Sequence, residues 1–173
     1  MTEPVPDQVL PRTPGVPLGR HEGRVAFADL VRQTIAVADA QGWREWWWCD
    51  ADFADWPLGE RAVIESLERW VGQGRKLHLL SRDFRALRQA HARFVPWRVR
   101  WDHCIEAKAC PSAPVDDFPS GMWMPTACWT RIDPVRSVAV ATDEPQRRVG
   151  FQQCLQGWWA KATPAFPAST LGL

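Results

Sequence analysis

The chain has 173 residues, of which 46% are hydrophobic and 24% are charged, and its formal net charge is +1. This balance is ordinary for one globular domain with a buried core, and it argues against a strongly basic nucleic-acid binder. No apolar run is long enough for a membrane-spanning helix, and no secretory signal is visible. We therefore expect a cytoplasmic, bacterial protein whose five cysteines are reduced thiols.

The proline content divides the chain into three parts. Residues 1–22 carry five prolines and little hydrophobic periodicity, which predicts a flexible N-terminal arm. Residues 23–165 show the periodic patterns of a single domain. Residues 166–173 are predicted to be a frayed tail.

Helix and strand patterns alternate through the first half of the domain. A helix with Phe27, Leu30 and Ile35 on one face is predicted to end at Gly42. An apolar strand over 44–49 contains three consecutive tryptophans, and such continuous hydrophobicity favours a strand covered on both faces. A second helix, a strand over 76–80 and a third helix that ends before Pro96 follow.

The sequence of the second half predicts a different mixture of elements. Residues 97–108 alternate apolar and charged side chains, which indicates a half-exposed strand. Residues 109–125 contain four prolines and are predicted to be a loop. Two short strands over 127–132 and 136–142 and a final helix complete the domain. The whole order predicts an α/β three-layer sandwich with a central, mostly parallel sheet and one antiparallel pair near the C-terminus.

One set of polar residues resembles the haloacid-dehalogenase phosphotransferases. Asp50 and Asp52 follow the tryptophan strand, Ser81 follows the next strand, and Lys108 lies downstream. The resemblance implies that Asp50 is the nucleophile, Asp52 the acid/base, and Ser81 and Lys108 the phosphate ligands. It also implies that Asp50, Asp143 and Glu144 hold Mg²⁺, an oxygen-ligand metal suited to phosphoryl transfer. The alternative is that both aspartates only cap the turn after the strand.

A second resemblance covers about residues 25–165. The element order, the segments around Asp52-Phe53 and Trp56–Gly59, and the segment 94–98 are similar to a phospholipase D-like half-domain. Active members carry His-x-Lys-x4-Asp, and the matching segment here is 126–133, in which only Asp133 is retained. Without the nucleophilic His and the Lys, this resemblance implies a non-catalytic binding or interaction module that needs no cofactor.

The tryptophans and arginines of 82–123 are the candidate binding residues. A homodimer is expected to form through an edge strand at 97–101 and the region of Trp123 and Trp129, and the sequence identifies no other protein partner. Alternatively, an arginine stripe interleaved with aromatic rings binds a polyanion. The candidate binding residues in both hypotheses are Arg82, Arg85, Arg88, Arg98, Arg100, Trp97, Trp101 and Trp123. The near-neutral charge makes nucleic acid the less expected partner, because arginines opposite an apolar stripe usually form a solvated face.

Overall fold

The computed structural model describes residues 14–167. Its strands are β1 (Gly19–Glu22), β2 (Glu45–Asp50), β3 (Lys76–Ser81), β4 (Ile105–Ala109), β5 (Gly121–Trp123), β6 (Cys128–Asp133), β7 (Val138–Thr142) and β8 (Thr163–Pro164). Its helices are α1 (Arg24–Ala40), α2 (Arg61–Trp70), α3 (Arg85–Ala90), α4 (Phe94–Arg100) and α5 (Pro145–Lys161), with a 3₁₀ turn over Asp102–Cys104. Within this range no helix is both long and apolar enough to cross a membrane.

All eight strands form one mixed sheet in the order β1-β7-β6-β5-β2-β3-β4-β8. Only β2, β3 and β4 are parallel, and every other neighbouring pair is antiparallel. The prediction of a mostly parallel, phospholipase D-like sheet is therefore wrong. β1, β5 and β8 lie in segments predicted to be an arm, a loop and the end of the domain, so their antiparallel pairings were not expected. In addition, the hydrophobicity of a strand covered on both faces does not indicate its direction.

The strand β2 forms the centre of the core. Trp46 and Trp48 lie in the larger hydrophobic cluster with residues of α1, α2 and α4, whereas Trp47 and Cys49 lie in the cluster that α5 covers. Side chains alternate across a strand, so consecutive tryptophans can pack on both faces. The predicted strand and the predicted apolar faces of α1 and α2 are confirmed.

Residues 94–104 differ most from the sequence prediction. The predicted strand at 97–101 is wrong, since α4 runs through Pro96 to Arg100 and a 3₁₀ turn follows. Pro96 is the third residue of α4, where the absent N–H removes no intrahelical bond. Phe94, Trp97 and Arg98 are buried, and their spacing is that of a helix. The same segment also alternates apolar and charged residues, which is the pattern of a strand, so the sequence is compatible with both elements.

Two segments that the sequence placed outside the domain take part in the fold. β1 lies within the predicted arm, and Phe166 of the predicted tail is 3% exposed, with its ring centroid 5.3 Å from that of Phe84. The remainder of both predictions, residues 1–13 and 168–173, lies outside the described residues. Short strands of two to four residues have too little pattern to be recognised.

The strands β5 and β6 leave no room for a side chain at Gly121. A Cβ atom at this position would lie 2.2 Å from the Trp129 carbonyl oxygen and 2.9 Å from Phe151 Cζ. Gly121 also pairs with Cys49 of β2. The parallel strands are therefore joined to the antiparallel half of the sheet at a position that only glycine fits.

The imidazole ring of His78 packs between the sheet and α5. His78 stacks on Trp47 with ring centroids 4.2 Å apart, and Trp159 of α5 contacts its edge at 5.3 Å. Burial lowers the pKa of His78, although its Nε2 donates to Glu45 at 3.0 Å and Glu106 lies 3.8 Å from Nδ1, with Lys76 opposing both. Burial therefore outweighs the attraction of the carboxylates.

We expect acidification to destabilise the protein through this histidine. The unfolded chain takes up a proton near pH 6.5, whereas folded His78 resists protonation, so the free energy of unfolding falls as the pH drops below about 6.5. In His78→Gln the decrease in melting temperature between pH 8 and pH 5 should be smaller than in the wild type. The exposed His103→Gln is the control, and equal pH profiles for all three proteins would contradict the expectation.

Candidate ligand-binding site at the carboxyl edge of the parallel strands

A buried ion pair lies at the carboxyl end of β2. The Asp50 and Arg131 side chains are 1% and 6% exposed, and Arg131 Nη2 donates to Asp50 Oδ1 at 2.6 Å. Ser120 donates to the same oxygen at 2.5 Å and accepts from Arg131 Nε at 3.1 Å. The other guanidinium nitrogen, Nη1, donates to the partly exposed Asp55 at 2.5 Å.

The surroundings of Arg131 keep the guanidinium charged. Burial would lower the pKa of Arg131, but Asp50 and Asp55 outweigh it and raise the pKa above its ordinary value. The guanidinium carbon also lies 4.4 Å from the centre of the Phe27 ring, a cation–π contact. The buried charges of Asp50 and Arg131 are thus balanced by each other and by the hydrogen bonds around them.

The second oxygen of Asp50 holds the turn that follows β2. Oδ2 accepts from the backbone N–H of Phe53 at 2.8 Å and of Asp52 at 3.3 Å. Phe53 has a φ of 57°, a left-handed conformation that is strained for a bulky residue. The buried His91 stabilises it, because Nε2 donates to the Phe53 carbonyl at 2.8 Å. Asp50 therefore fixes the shape of the strand end, with both oxygens engaged.

The residues of the phosphotransferase hypothesis do not form one site. Ser81 is buried, and its hydroxyl oxygen lies 2.9 Å from the carbonyl oxygens of both Ala51 and Asp83, one of which accepts its single proton. Lys108 lies in register with Leu80 and packs 4.7 Å above Trp159, on the face of the sheet opposite Asp50. Asp143 and Glu144 follow β7.

The direction of β7 places its acidic residues far from Asp50. Three antiparallel pairings separate β2 from β7, so these strands run in opposite directions and their carboxyl ends lie at opposite edges of the sheet. Asp143 and Glu144 follow the end of β7, and Asp50 ends β2. Among residues 14–167, no three His, Cys, Asp or Glu side chains are grouped so that they could hold a metal.

Two adjoining grooves lie where β2 and β3 end and α3 begins; together we term them the carboxyl-edge groove. The first has a volume of about 430 Å³, and the second, of about 240 Å³, shares three lining residues with it. The polar residues that line the carboxyl-edge groove are Asp52, Arg82, Asp83, Arg85, Arg88 and Gln89. Grooves outside the carboxyl ends of parallel strands are the usual position for ligands in α/β sheets.

The arginines of the carboxyl-edge groove differ in what they contact. Arg85 pairs with Asp83 at 2.5 Å and is 85% exposed, whereas Arg82 donates through Nε to the Ala113 carbonyl at 2.6 Å. Arg88 lies 4.8 Å above the ring of Phe166, and within residues 14–167 it forms no ion pair. Three arginines therefore line one surface, and they differ in the protein contacts that a ligand would have to replace.

The other candidate binding residues do not extend this surface. Arg98 is buried and pairs with Asp102 at 2.6 Å, and Arg100 pairs with Glu68. Trp97 is 2% exposed. Trp101 donates to Glu68, whereas Trp123 lies in register with Trp47 on the face that α5 covers. The structure does not bring Trp97, Trp101 and Trp123 onto one surface.

The position of Arg131 in the sequence indicates that this residue is a partner of Asp50. Arg131 follows Trp129 by two residues on β6, so both side chains point to the same face, and Trp129 is fully buried. A charged residue at an inward-facing strand position needs a buried counter-charge. That requirement points to Asp50, the carboxylate at the end of the most apolar strand.

Comparisons with known proteins show a similarity of fold alone. No family model and no curated protein matches the chain. A solved structure of TrmBL2, described as an archaeal chromatin protein with a novel mode of DNA binding, superposes with a TM-score of 0.61 at 12% identity. The match covers 84% of this chain and 53% of that chain, so this chain spans about half the length of TrmBL2. The resemblance to phospholipase D-like half-domains stays a prediction.

Proposed function

We propose that the protein binds double-stranded DNA through Arg82, Arg85 and Arg88 of the carboxyl-edge groove, without catalysis. The observation that carries the proposal is the placement of three guanidinium groups along one continuous surface. Arginine is suited to this role because its planar group donates two parallel hydrogen bonds to a phosphate.

The hydrogen bonds of these arginines leave donors for phosphate oxygens. In the described part of the chain, the Nη nitrogens of Arg82 make no hydrogen bond to protein, since only Nε donates to Ala113. Arg88 is positioned by the ring beneath it rather than by a carboxylate. Exposed pairs such as Arg85–Asp83 contribute little to stability, so a phosphate can compete for Arg85 at small cost.

The fold similarity supports DNA over other polyanions. The neighbour of similar fold is described as binding DNA, which raises the expectation for this chain by analogy. A net charge of +1 is compatible with this function, because non-specific binding depends on the local arrangement of cations along the phosphate backbone. Asp52 and Asp83 line the same groove, so affinity is expected to be modest.

Charge reversal within the carboxyl-edge groove tests the proposal. In Arg85→Glu/Arg88→Glu, the dissociation constant for a fluorescent DNA duplex should rise at least about tenfold, since two phosphate contacts become repulsive. The slope of log K against log salt should become shallower by about 2. Fluorescence anisotropy across a salt series measures both quantities.

A matched reversal elsewhere controls for net charge. Arg61 of α2 is 84% exposed and pairs with Glu65, much as Arg85 is exposed and pairs with Asp83. The double variant Arg61→Glu/Arg69→Glu, which reverses two arginines of α2, should retain more affinity than the groove variant. Equal losses in the two variants, or wild-type binding that does not depend on salt, would refute the assignment.

A further inference from the structure

The strand β1 forms one end of the described sheet and pairs with β7 on one side only. The Gly23 N–H donates to the Ser137 carbonyl, which continues this pairing by one residue. Backbone groups alternate in direction along an antiparallel strand. Since residues 19, 21 and 23 point towards β7, the N–H and C=O groups of Arg20 and Glu22 point away from the sheet.

The side chains of the same two residues have opposite charges. Arg20 and Glu22 are 56% and 59% exposed and contact each other at 3.3 Å. They lie two positions apart and therefore share one face of the sheet. If a second copy of β1 runs antiparallel with His21 opposite its own equivalent, Arg20 faces the partner's Glu22, and Glu22 faces the partner's Arg20.

This register joins the backbone groups as well as the charges. Arg20 and Glu22 are the residues whose backbone groups point outwards, so each copy would contribute two donors and two acceptors to the shared edge. A shift by one residue would align inward-pointing groups of one copy with outward-pointing groups of the other. The backbone and the charges thus select the same register.

Exposed apolar side chains lie at both ends of β1. Leu18 precedes the strand and is 51% exposed, and Val25 and Val135 beyond its other end are 76% and 92% exposed. The Gly23–Ser137 hydrogen bond holds the start of α1 beside the β6–β7 turn that contains Val135. In the two-fold arrangement Leu18 of one copy reaches the start of the partner's α1, so apolar groups would be buried at both ends of the shared edge.

We propose that two copies of this chain associate by antiparallel pairing of β1 about His21, which joins the two sheets edge to edge. Short, charged edge strands normally prevent such contacts. Here the charges are self-complementary and would admit the same edge of another copy while they repel an edge of different pattern. A contact of four residues with small apolar ends predicts a dissociation constant in the micromolar range.

Single and double charge reversals test the pairing in the full chain. Arg20→Glu and Glu22→Arg each place like charges opposite each other twice, and each should raise the dimer dissociation constant roughly tenfold or more. The double variant Arg20→Glu/Glu22→Arg restores opposite charges at both positions and should dimerise as the wild type does. Sedimentation equilibrium over a range of concentrations gives these constants, and unchanged circular dichroism shows that each variant is folded.

A mixing experiment separates this interface from any other. The two single variants are each expected to be monomeric, but an equimolar mixture should form a heterodimer, because every arginine then faces a glutamate. A wild type that is monomeric at the highest measurable concentration overturns the proposal. A dimer that is indifferent to the single reversals, or that neither the double variant nor mixing restores, overturns it equally.

Discussion

The substitution Arg131→Met is expected to lower the free energy of unfolding by about 3–5 kcal/mol. Methionine fills much of the volume of the arginine stem, but it leaves the Asp50 carboxylate without its counter-charge at 1% exposure. Ser120 and the backbone N–H groups still donate to this carboxylate, yet hydrogen bonds alone do not replace a buried cation. Urea unfolding followed by circular dichroism measures the loss.

Two further variants show whether the buried charge is the cause. Adding Asp50→Asn to Arg131→Met should recover part of the lost stability, because the double variant contains no unpaired buried charge. Arg61→Met, on an exposed helix face, should change the free energy of unfolding by less than about 1 kcal/mol. If the double variant were less stable than Arg131→Met, packing rather than charge would explain the effect.

The substitution Gly121→Ala is expected to abolish stable folding although it adds a single methyl group. Its Cβ would lie 2.2 Å from the backbone oxygen of Trp129 and 3.1 Å from Thr130 Cα. Overpacking against movable side chains costs about 1–3 kcal/mol. Here the obstacle is the backbone of a paired strand, so β5 and β6 would have to separate and lose ladder hydrogen bonds.

A helical glycine offers the matched control. Nothing lies within 4 Å of a Cβ atom built on Gly150 in α5. Gly150→Ala should therefore raise the melting temperature slightly, since alanine favours a helix over glycine by up to about 1 kcal/mol. Differential scanning fluorimetry and soluble yield compare the two variants. A Gly121→Ala protein that melts within a few degrees of the wild type would show that the sheet accommodates the methyl group.

Periodicity located most of the elements that form the core. The apolar faces of α1 and α2 and the strands β2, β3, β6 and β7 follow from patterns that extend over at least five residues. The three residues of β5 lie within a proline-rich segment and have too little pattern to be recognised. Because β5 is antiparallel to its two neighbours β2 and β6, missing it led to the wrong sheet.

The candidate site was only partly accessible from the sequence. Asp50 and Arg82, Arg85 and Arg88 were identified because they follow strands or repeat along one helix. Ser120 and Arg131 contact Asp50 across 70 and 81 residues of sequence. The inward-facing position of Arg131, two residues after Trp129, is the one local signal for these contacts, and Ser120 has none. The expected link between Arg98 and the arginine surface failed because α4 buries this side chain against Asp102.

The strand order also determines when each part of the sheet can form during synthesis. β2, β3 and β4 succeed one another along the chain, so a ribosome releases the parallel unit as one contiguous stretch. β1 emerges before all of them, but its neighbour β7 is translated only after β4, β5 and β6. β1 therefore has no sheet partner until β7 has been translated, and in the nascent chain it stays accessible to chaperones and proteases for longer than the parallel strands.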